Sequence, residues 1–272
     1  PTNAPHGPYI AKPEDKALYE DKGLPEATEN FFGMIHNIDQ NIGRLLAKRD
    51  EWGIAKDTLV IFMNDNGGTA GVQVFNADMR GAKGSAWLGG TRASSFWRWP
   101  GTLQPADCHA LAAHIDFFPT IAAIAGAAVP EAAKSQVEGR SLVPLLENPG
   151  AKWEDRFLFA HQGRWPKLAD PNTAKFKMAS VRNTRWALVS ENGGAEPRWQ
   201  LFDLTSDYAQ RNNVIDQHPD AVKELSAAFD QWWSECLPLM VNEKALGPQI
   251  NPFQARYYQQ FGGSPSPEDL KR

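Results

Sequence analysis

The apolar positions of this chain change period twice, and each change marks a different kind of element. In "EATENFFGMIHNIDQNIGRLLAKRDEWG", Phe31, Ile35, Ile38, Ile42 and Leu45 recur at steps of three and four residues, the spacing of one face of an amphipathic helix. Arg44, Lys48 and Arg49 lie toward its end, where cations suit the helix dipole, and Gly53 is placed to stop it. After "IAKD", the run "TLVIFM" is apolar throughout, which predicts a strand buried on both faces of a parallel sheet. A helix followed by such a strand is half of an α/β unit.

From Asn64 to Gly90 the chain is rich in glycine and has no period. Loops of that length are usually functional or disordered. "SSFWRWPG" reads as a strand ending at a Pro-Gly turn. "HIDFFPTIAAIAG" reads as a helix with Asp116 as N-cap, Pro119 in the first turn and Gly126 closing it. "GRSLVPLLENPG" repeats the device with Ser141 as the cap. Past residue 150, "RFLFAHQ", "KMASVRNTRWALVS" and "RWQLFDL" are short aromatic and β-branched runs separated by turns, the pattern of an antiparallel sheet. The helix "PDAVKELSAAFDQWWSEC" follows. The expected organisation is an α/β unit over 1–150, a small antiparallel sheet with a packed helix over 151–240, and an irregular, Pro- and Gly-rich tail over 241–272.

Composition narrows the function classes. The net charge is −4, so no basic excess exists to neutralise the phosphates of a nucleic acid. No apolar run reaches the roughly 18 residues of a membrane span; "LAAHIDFFPTIAAIAG" is interrupted by His114, Asp116 and Pro119. Cys108 and Cys236 permit one disulfide and prove none, and neither has metal or redox spacing. Free thiols packed as small hydrophobes are the simpler expectation.

The candidate chemistry sits where the predicted strand ends, in "NDNGG". Ligands of open α/β sheets collect beyond the carboxyl ends of strands. Asp65 and Asn66 there offer two hard oxygen donors suited to Ca²⁺ or Mg²⁺. An Asx-turn, in which both side chains bond their own backbone, is the alternative. Lys83 stands between Gly81 and Gly84, a point charge for an oxyanion such as phosphate or sulfate, or simply a solvated lysine. His6, in "NAPHGPY", is held in a proline-stiffened loop and could bind an anion, transfer a proton or do neither. His36 and His114 fall within helical patterns and suit structural roles, while His109, His161 and His218 have no partner legible in sequence. The ten Trp fit an aromatic core more simply than a sugar site.

The succession "PTNAPHGPY", "IDQNIGRLL", "DTLVIFMNDNGG", "RGAKGSAWLGGTR", "RWPG", "HIDFFPTIAAIAG", "GRSLVPLL" and "LFDLTSDYAQRNNV" closely resembles the carboxyl-terminal part of the type I sulfatases, the arylsulfatase family of the alkaline-phosphatase-like superfamily. The resemblance covers about residues 1–240. It implies the carboxyl-terminal part of an α/β/α sheet followed by a small antiparallel sheet, hydrolysis of aryl or carbohydrate sulfate esters, and a periplasmic or extracellular location. It also implies that Asp65 and Asn66 are the later pair of ligands to a divalent cation, usually Ca²⁺, and that Lys83 and His6 contact the sulfate. Two departures stand out: "GAKG" where the family often has "GGKG", and Leu88 where an acid is common.

In that family the nucleophile is a formylglycine made within a C/S-x-P/A-x-R motif, and neither Cys108 nor Cys236 sits in one. The resemblance therefore implies that the formylglycine and two further acidic ligands belong to an amino-terminal portion preceding Pro1. The chain by itself is then expected to be inactive, with an exposed sheet edge. Two other readings share these residues: a metal-dependent phosphodiesterase or phosphonate hydrolase of the same superfamily, and a non-catalytic assembly or glycan-binding module. Fold alone does not separate them.

Overall fold

A computed structural model describes residues 4–166, 168–240, 250 and 252–267. The short helix α1 (Pro13–Lys16) precedes α2 (Glu26–Glu51), which ends at Trp52 with Gly53 at φ 70°. Strand β1 (Val60–Met63) leads through the glycine-rich stretch to α3 (Leu88–Thr91) and β2 (Ser95–Arg98). Three helices follow, α4 (Phe117–Ile124), α5 (Glu131–Lys134) and α6 (Val143–Glu147). Strands β3 (Leu158–His161), β4 (Lys177–Arg182), β5 (Trp186–Asn192) and β6 (Gln200–Asp203) form one antiparallel sheet in that order, and α7 (Pro219–Met240) and α8 (Pro252–Phe261) complete the described elements.

Four expectations need correction. The strand predicted for a parallel sheet, β1, pairs antiparallel with β2, from Val60 opposite Arg98 to Met63 opposite Ser95. It is not buried on both faces either, since Phe62 is 43% and its partner Phe96 65% exposed. Among the described residues β2 is its one strand neighbour, and Phe62 and Phe96 meet each other at 6.4 Å on the outward side. The apolar stripe of α2 is likewise fully buried only at Phe31; Ile38 and Ile42 are half-buried, and Ile35 and Leu45 are exposed. Asp116 stands at the N-cap position of α4 as expected, but its side chain makes no capping bond to that helix; the carboxylate is used for other partners. Within the stretch expected to be irregular, residues 252–261 form α8, with Tyr257 against Phe261 one turn on; residues 241–249 lie outside the described residues.

The main core is built on the four-stranded sheet, which is covered on both faces. Successive residues of a strand point to opposite sides. Leu188 and Leu201 accordingly pack with Leu225 and Phe229 of α7, while Ala187, Val189 and Phe202 pack with Ala86, Trp87 and Leu88 of the glycine-rich segment. Trp87 meets Phe202 edge-on at 5.5 Å. Burying an aromatic of this size contributes several kcal/mol, roughly 3–5 by large-to-small substitution, so this contact seats the segment firmly. Gln210, 1% exposed and at φ 54°, accepts the Leu88 N–H at 2.8 Å through its side-chain oxygen, and its main-chain carbonyl accepts from Arg80 at 3.2 Å. Glu191 of β5 accepts the Ala86 N–H at 2.9 Å. Leu88, the departure noted in the sequence, is buried in this cluster. Both cysteines are free thiols.

A second organising contact is the buried carboxylate of Asp116. It accepts the Ala113 and Arg140 N–H groups at 2.8 Å each and pairs with the Arg156 guanidinium through both oxygens. Thr120 bonds the Asp116 carbonyl and accepts the Leu142 N–H at 2.8 Å. Three separate stretches of chain are thereby tied to one point. Burial alone pushes the Asp116 carboxyl up. The hydrogen bonds from Arg156, Arg140 and Ala113 outweigh it and hold the group below the usual carboxylate range.

Removing the carboxylate leaves Arg156 charged and unpaired in a buried place, so Asp116→Ala should lower the unfolding free energy in urea by about 3–5 kcal/mol. Because the folded pKa lies below the unfolded one, Asp116 adds its full share of stability above the unfolded value and loses it as pH falls through the folded one. Urea midpoints of the wild type should thus fall more steeply with acid than those of Asp116→Asn; parallel curves would refute the assignment. Gln210→Ala strands the buried Leu88 N–H and should cost about 1–3 kcal/mol, with a midpoint equal to wild type counting against it.

Candidate functional site

The end of β1 is held on both sides. The Asn64 N–H donates to the Ser94 carbonyl at 3.1 Å, continuing the pairing with β2 by one residue. The Asn64 carbonyl accepts from Nε2 of His114 at 2.8 Å, which fixes that imidazole as protonated at Nε2. Asp65 follows at once, exposed, and then Asn66, half-buried. Among the described residues neither side chain makes a hydrogen bond or an ion pair. The Asx-turn alternative therefore has no bond to support it.

Behind them the glycines act by their lack of a side chain. A Cβ on Gly67 would fall onto the Gly89 carbonyl, and one on Gly89 onto the Gly81 carbonyl. Only glycine permits the two strands of loop to come this close. The approach is then fixed by hydrogen bonds from Gly67 N–H to Gly90 O at 3.0 Å, Lys83 N–H to Gly68 O at 2.9 Å and Gly89 N–H to Arg80 O at 2.7 Å. Asn76 adds two bonds through its amide, to Met79 O at 2.7 Å and Gly81 O at 2.9 Å. Arg80 lies over the Trp87 ring at 3.7 Å, a cation–π contact that reinforces the anchor.

The structure thus brings the backbone of Lys83 against the turn that carries Asp65 and Asn66. The Lys83 side chain is exposed, and its ammonium has no hydrogen-bond or ion-pair partner among the described residues. Among the described residues His6 is not joined to them by any hydrogen bond, ion pair or ring contact. It is exposed, lies between the cis peptide bonds Ala4–Pro5 and Gly7–Pro8, and its Nδ1–H donates to the Gly7 carbonyl at 2.9 Å, leaving Nε2 free. Its segment reaches α2 through Tyr9, edge-on to Phe31 at 5.6 Å. Phe31 in turn is where a Cβ on Gly71 would strike.

One carboxylate and one amide oxygen, both free of protein partners, suit a hard cation. Among the described residues no three His, Cys, Asp or Glu side chains cluster for a metal, so two donors alone would fill only part of such a shell. The site also depends on residues that sequence reading did not single out, namely Gln210, Glu191 and Asn76, together with His114 in a role no helical pattern reveals. Gln210 acts across 122 positions of sequence, a separation at which no local motif signals the contact.

The Sulfatase family model matches residues 1–127, and the model described as N-sulphoglucosamine sulphohydrolase, C-terminal, matches residues 90–233. Steryl-sulfatase of Mus musculus is 33% identical over 184 residues, 64% of this chain and 26% of that protein. Arylsulfatase A of Homo sapiens is 33% identical over 226 residues, 74% and 42% of the two chains. The uncharacterized sulfatase YdeN of Escherichia coli is 26% identical over 264 residues, 87% and 46%. This chain therefore spans less than half the length of these three relatives. Among solved structures, Ps i-CgsB superposes with a TM-score of 0.72 at 24% identity, over 95% of this chain and 53% of that one, a likeness of fold. Matched by family models from residue 1 to residue 233, with the α/β fold of its structural neighbours, the chain belongs to the sulfatase family.

Proposed function

We propose that these residues form the carboxyl-terminal share of a sulfatase active site, one that hydrolyses aryl or carbohydrate sulfate esters. The observation that carries the reading is the 2.9 Å bond from Lys83 N–H to Gly68 O. It locks the loop bearing a free ammonium to the turn bearing a free carboxylate and amide, so that a cation and an anion can be held side by side.

In this reading Asp65 and Asn66 donate oxygens to Ca²⁺ or Mg²⁺, and the remaining ligands come from an amino-terminal portion of the same protein. The cation, when bound, polarises a sulfate oxygen and favours the ionised nucleophile. Lys83 binds the sulfate oxygens and offsets their charge as the S–O bond to the alcohol breaks. His6 supplies a second contact to the sulfate and, through its free Nε2, a group able to hold the proton passed to the departing alcohol. Neither Cys108 nor Cys236 is the nucleophile; a formylglycine from the amino-terminal portion fills that role. The exposed apolar residues Leu45, Phe62 and Phe96 give that portion a surface to cover. The names of relatives, steryl-sulfatase and N-acetylgalactosamine-6-O-sulfatase among them, support the substrate class. With the family comes a periplasmic or extracellular location; among the described residues no helix is long and apolar enough to cross a membrane.

The purified 272-residue chain should not turn over 4-nitrophenyl sulfate, with or without Ca²⁺. Steady release of nitrophenol by it would overturn the division of the site. Calorimetric titration of Ca²⁺ into the same chain should give weak binding, with Kd on the order of 10⁻³ M, lost in Asp65→Ala. Unchanged Ca²⁺ binding in that variant would remove Asp65 from the shell. In the complete protein, Lys83→Ala should lower kcat/KM for a sulfate ester by roughly 10²–10³-fold, the range for deleting a charge-stabilising donor. A loss below threefold would make Lys83 a solvated lysine.

A further inference from the structure

Immediately beside Lys83, a cavity of about 150 Å³ opens between the glycine-rich segment and the edge of the four-stranded sheet. Residues 84–86 and Thr91 form one wall, and residues 160–162 and Met178 form the other. At Gly84, φ is 89° and a Cβ would meet nothing within 4 Å, so the side next to Lys83 is open.

The polar groups of the lining are almost all turned to partners of their own. The Ser85 hydroxyl donates to Ala82 O at 2.8 Å, and that of Thr91 to Trp87 O at 3.1 Å. Both nitrogens of His161 are used: Nε2–H donates to Ala174 O at 3.0 Å, and Nδ1 accepts the Gly163 N–H at 2.8 Å. Burial also lowers its pKa. The imidazole is therefore an uncharged wall, backed by Trp233 at 5.0 Å. Among the described residues only the Gln162 side-chain amide is left in this lining without a partner.

These features select for shape and polarity together. A cavity of about 150 Å³ is the size that admits one benzene-like ring. Each hydroxyl carried into apolar walls without a partner costs roughly 1–3 kcal/mol, which weighs against a polyol. We propose that the cavity is a leaving-group subsite that takes an aryl ring, with Gln162 meeting a single polar substituent. The inference rests on Lys83 being the sulfate ligand, since only then does the ring of the ester fall beside Gly84.

The test is an amide-resolved NMR titration of the 272-residue chain with four probes: phenol, toluene, D-glucosamine and inorganic sulfate. Phenol should move the amides of Gly84, Ser85 and Gln162 in the millimolar range, and glucosamine should not. Ala160→Phe, which fills the cavity from β3, should weaken phenol at least tenfold while leaving the response to sulfate at Lys83 unchanged. Gln162→Leu, which leaves the walls intact, should weaken phenol about threefold, the worth of one hydrogen bond, and leave toluene binding as in wild type. Phenol that moves none of these amides, or binds Ala160→Phe as it binds wild type, overturns the subsite. Glucosamine binding as tightly as phenol overturns its preference for an aryl ring. Sulfate that leaves Lys83 and Gly68 unmoved while phenol binds overturns instead the reading of Lys83 on which the subsite's role depends.

Discussion

Everything at the candidate site hangs from Trp87 packed against Phe202. The glycine-rich segment has no regular structure of its own beyond one short helix, and a chain that rich in glycine loses much conformational entropy on ordering. It becomes a fixed scaffold because its middle is pressed onto the rear of the antiparallel sheet. Arg80 over the Trp87 ring, Gln210 on Leu88 and Glu191 on Ala86 then saturate the groups that the burial would otherwise strand. From that anchor the glycine contacts carry rigidity outward to Lys83 and, through Gly67 and Gly68, to Asp65 and Asn66. A site on loops is only as well defined as the elements beneath it.

The sheet therefore serves two masters. One face closes the core with Leu225 and Phe229 of α7, while the other holds the chemistry. The strict alternation of strand side chains lets adjacent residues such as Leu201 and Phe202 do these two tasks at once. A one-residue slip in register would exchange them. The Asp116–Arg156 pair plays a comparable part for the connecting helices. It is buried and hydrogen-bonded on both oxygens, the condition under which a buried ion pair holds structure together without leaving a stranded charge.

The free polar groups at the site contrast with this economy. Elsewhere nearly every polar group near the core finds a partner in the chain, yet Asp65, Asn66 and the Lys83 ammonium have none among the described residues. Opposite charges on one interlocked surface, each uncommitted, are what a bound ion pair of cation and anion needs. The chain also carries exposed apolar positions on α2, β1 and β2. An apolar run records that its residues suit a covered environment; it does not say that the cover lies within the same 272 residues.

Much was legible without coordinates. Helix α2 with its Gly53 stop, β2 with its Pro-Gly turn, the three strand-like runs past residue 150 and α7 all follow from period and punctuation, because those signals are local, though the second run divides into β4 and β5. Family membership followed from the succession of motifs, and the resemblance it carried implied that Asp65, Asn66 and the glycine loop share one site. Tertiary structure alone decided the rest. It made β1 antiparallel and half-exposed, and it buried β5 on both faces, because strand pairing and cover depend on what else is present, which a run of apolar residues does not encode. It left Asp116 at the N-cap position of α4 but committed its carboxylate to a buried ion pair once Arg156 came within reach. And it placed Gln210 under Leu88, a contact across 122 residues, because only the folded sheet brings those two stretches together.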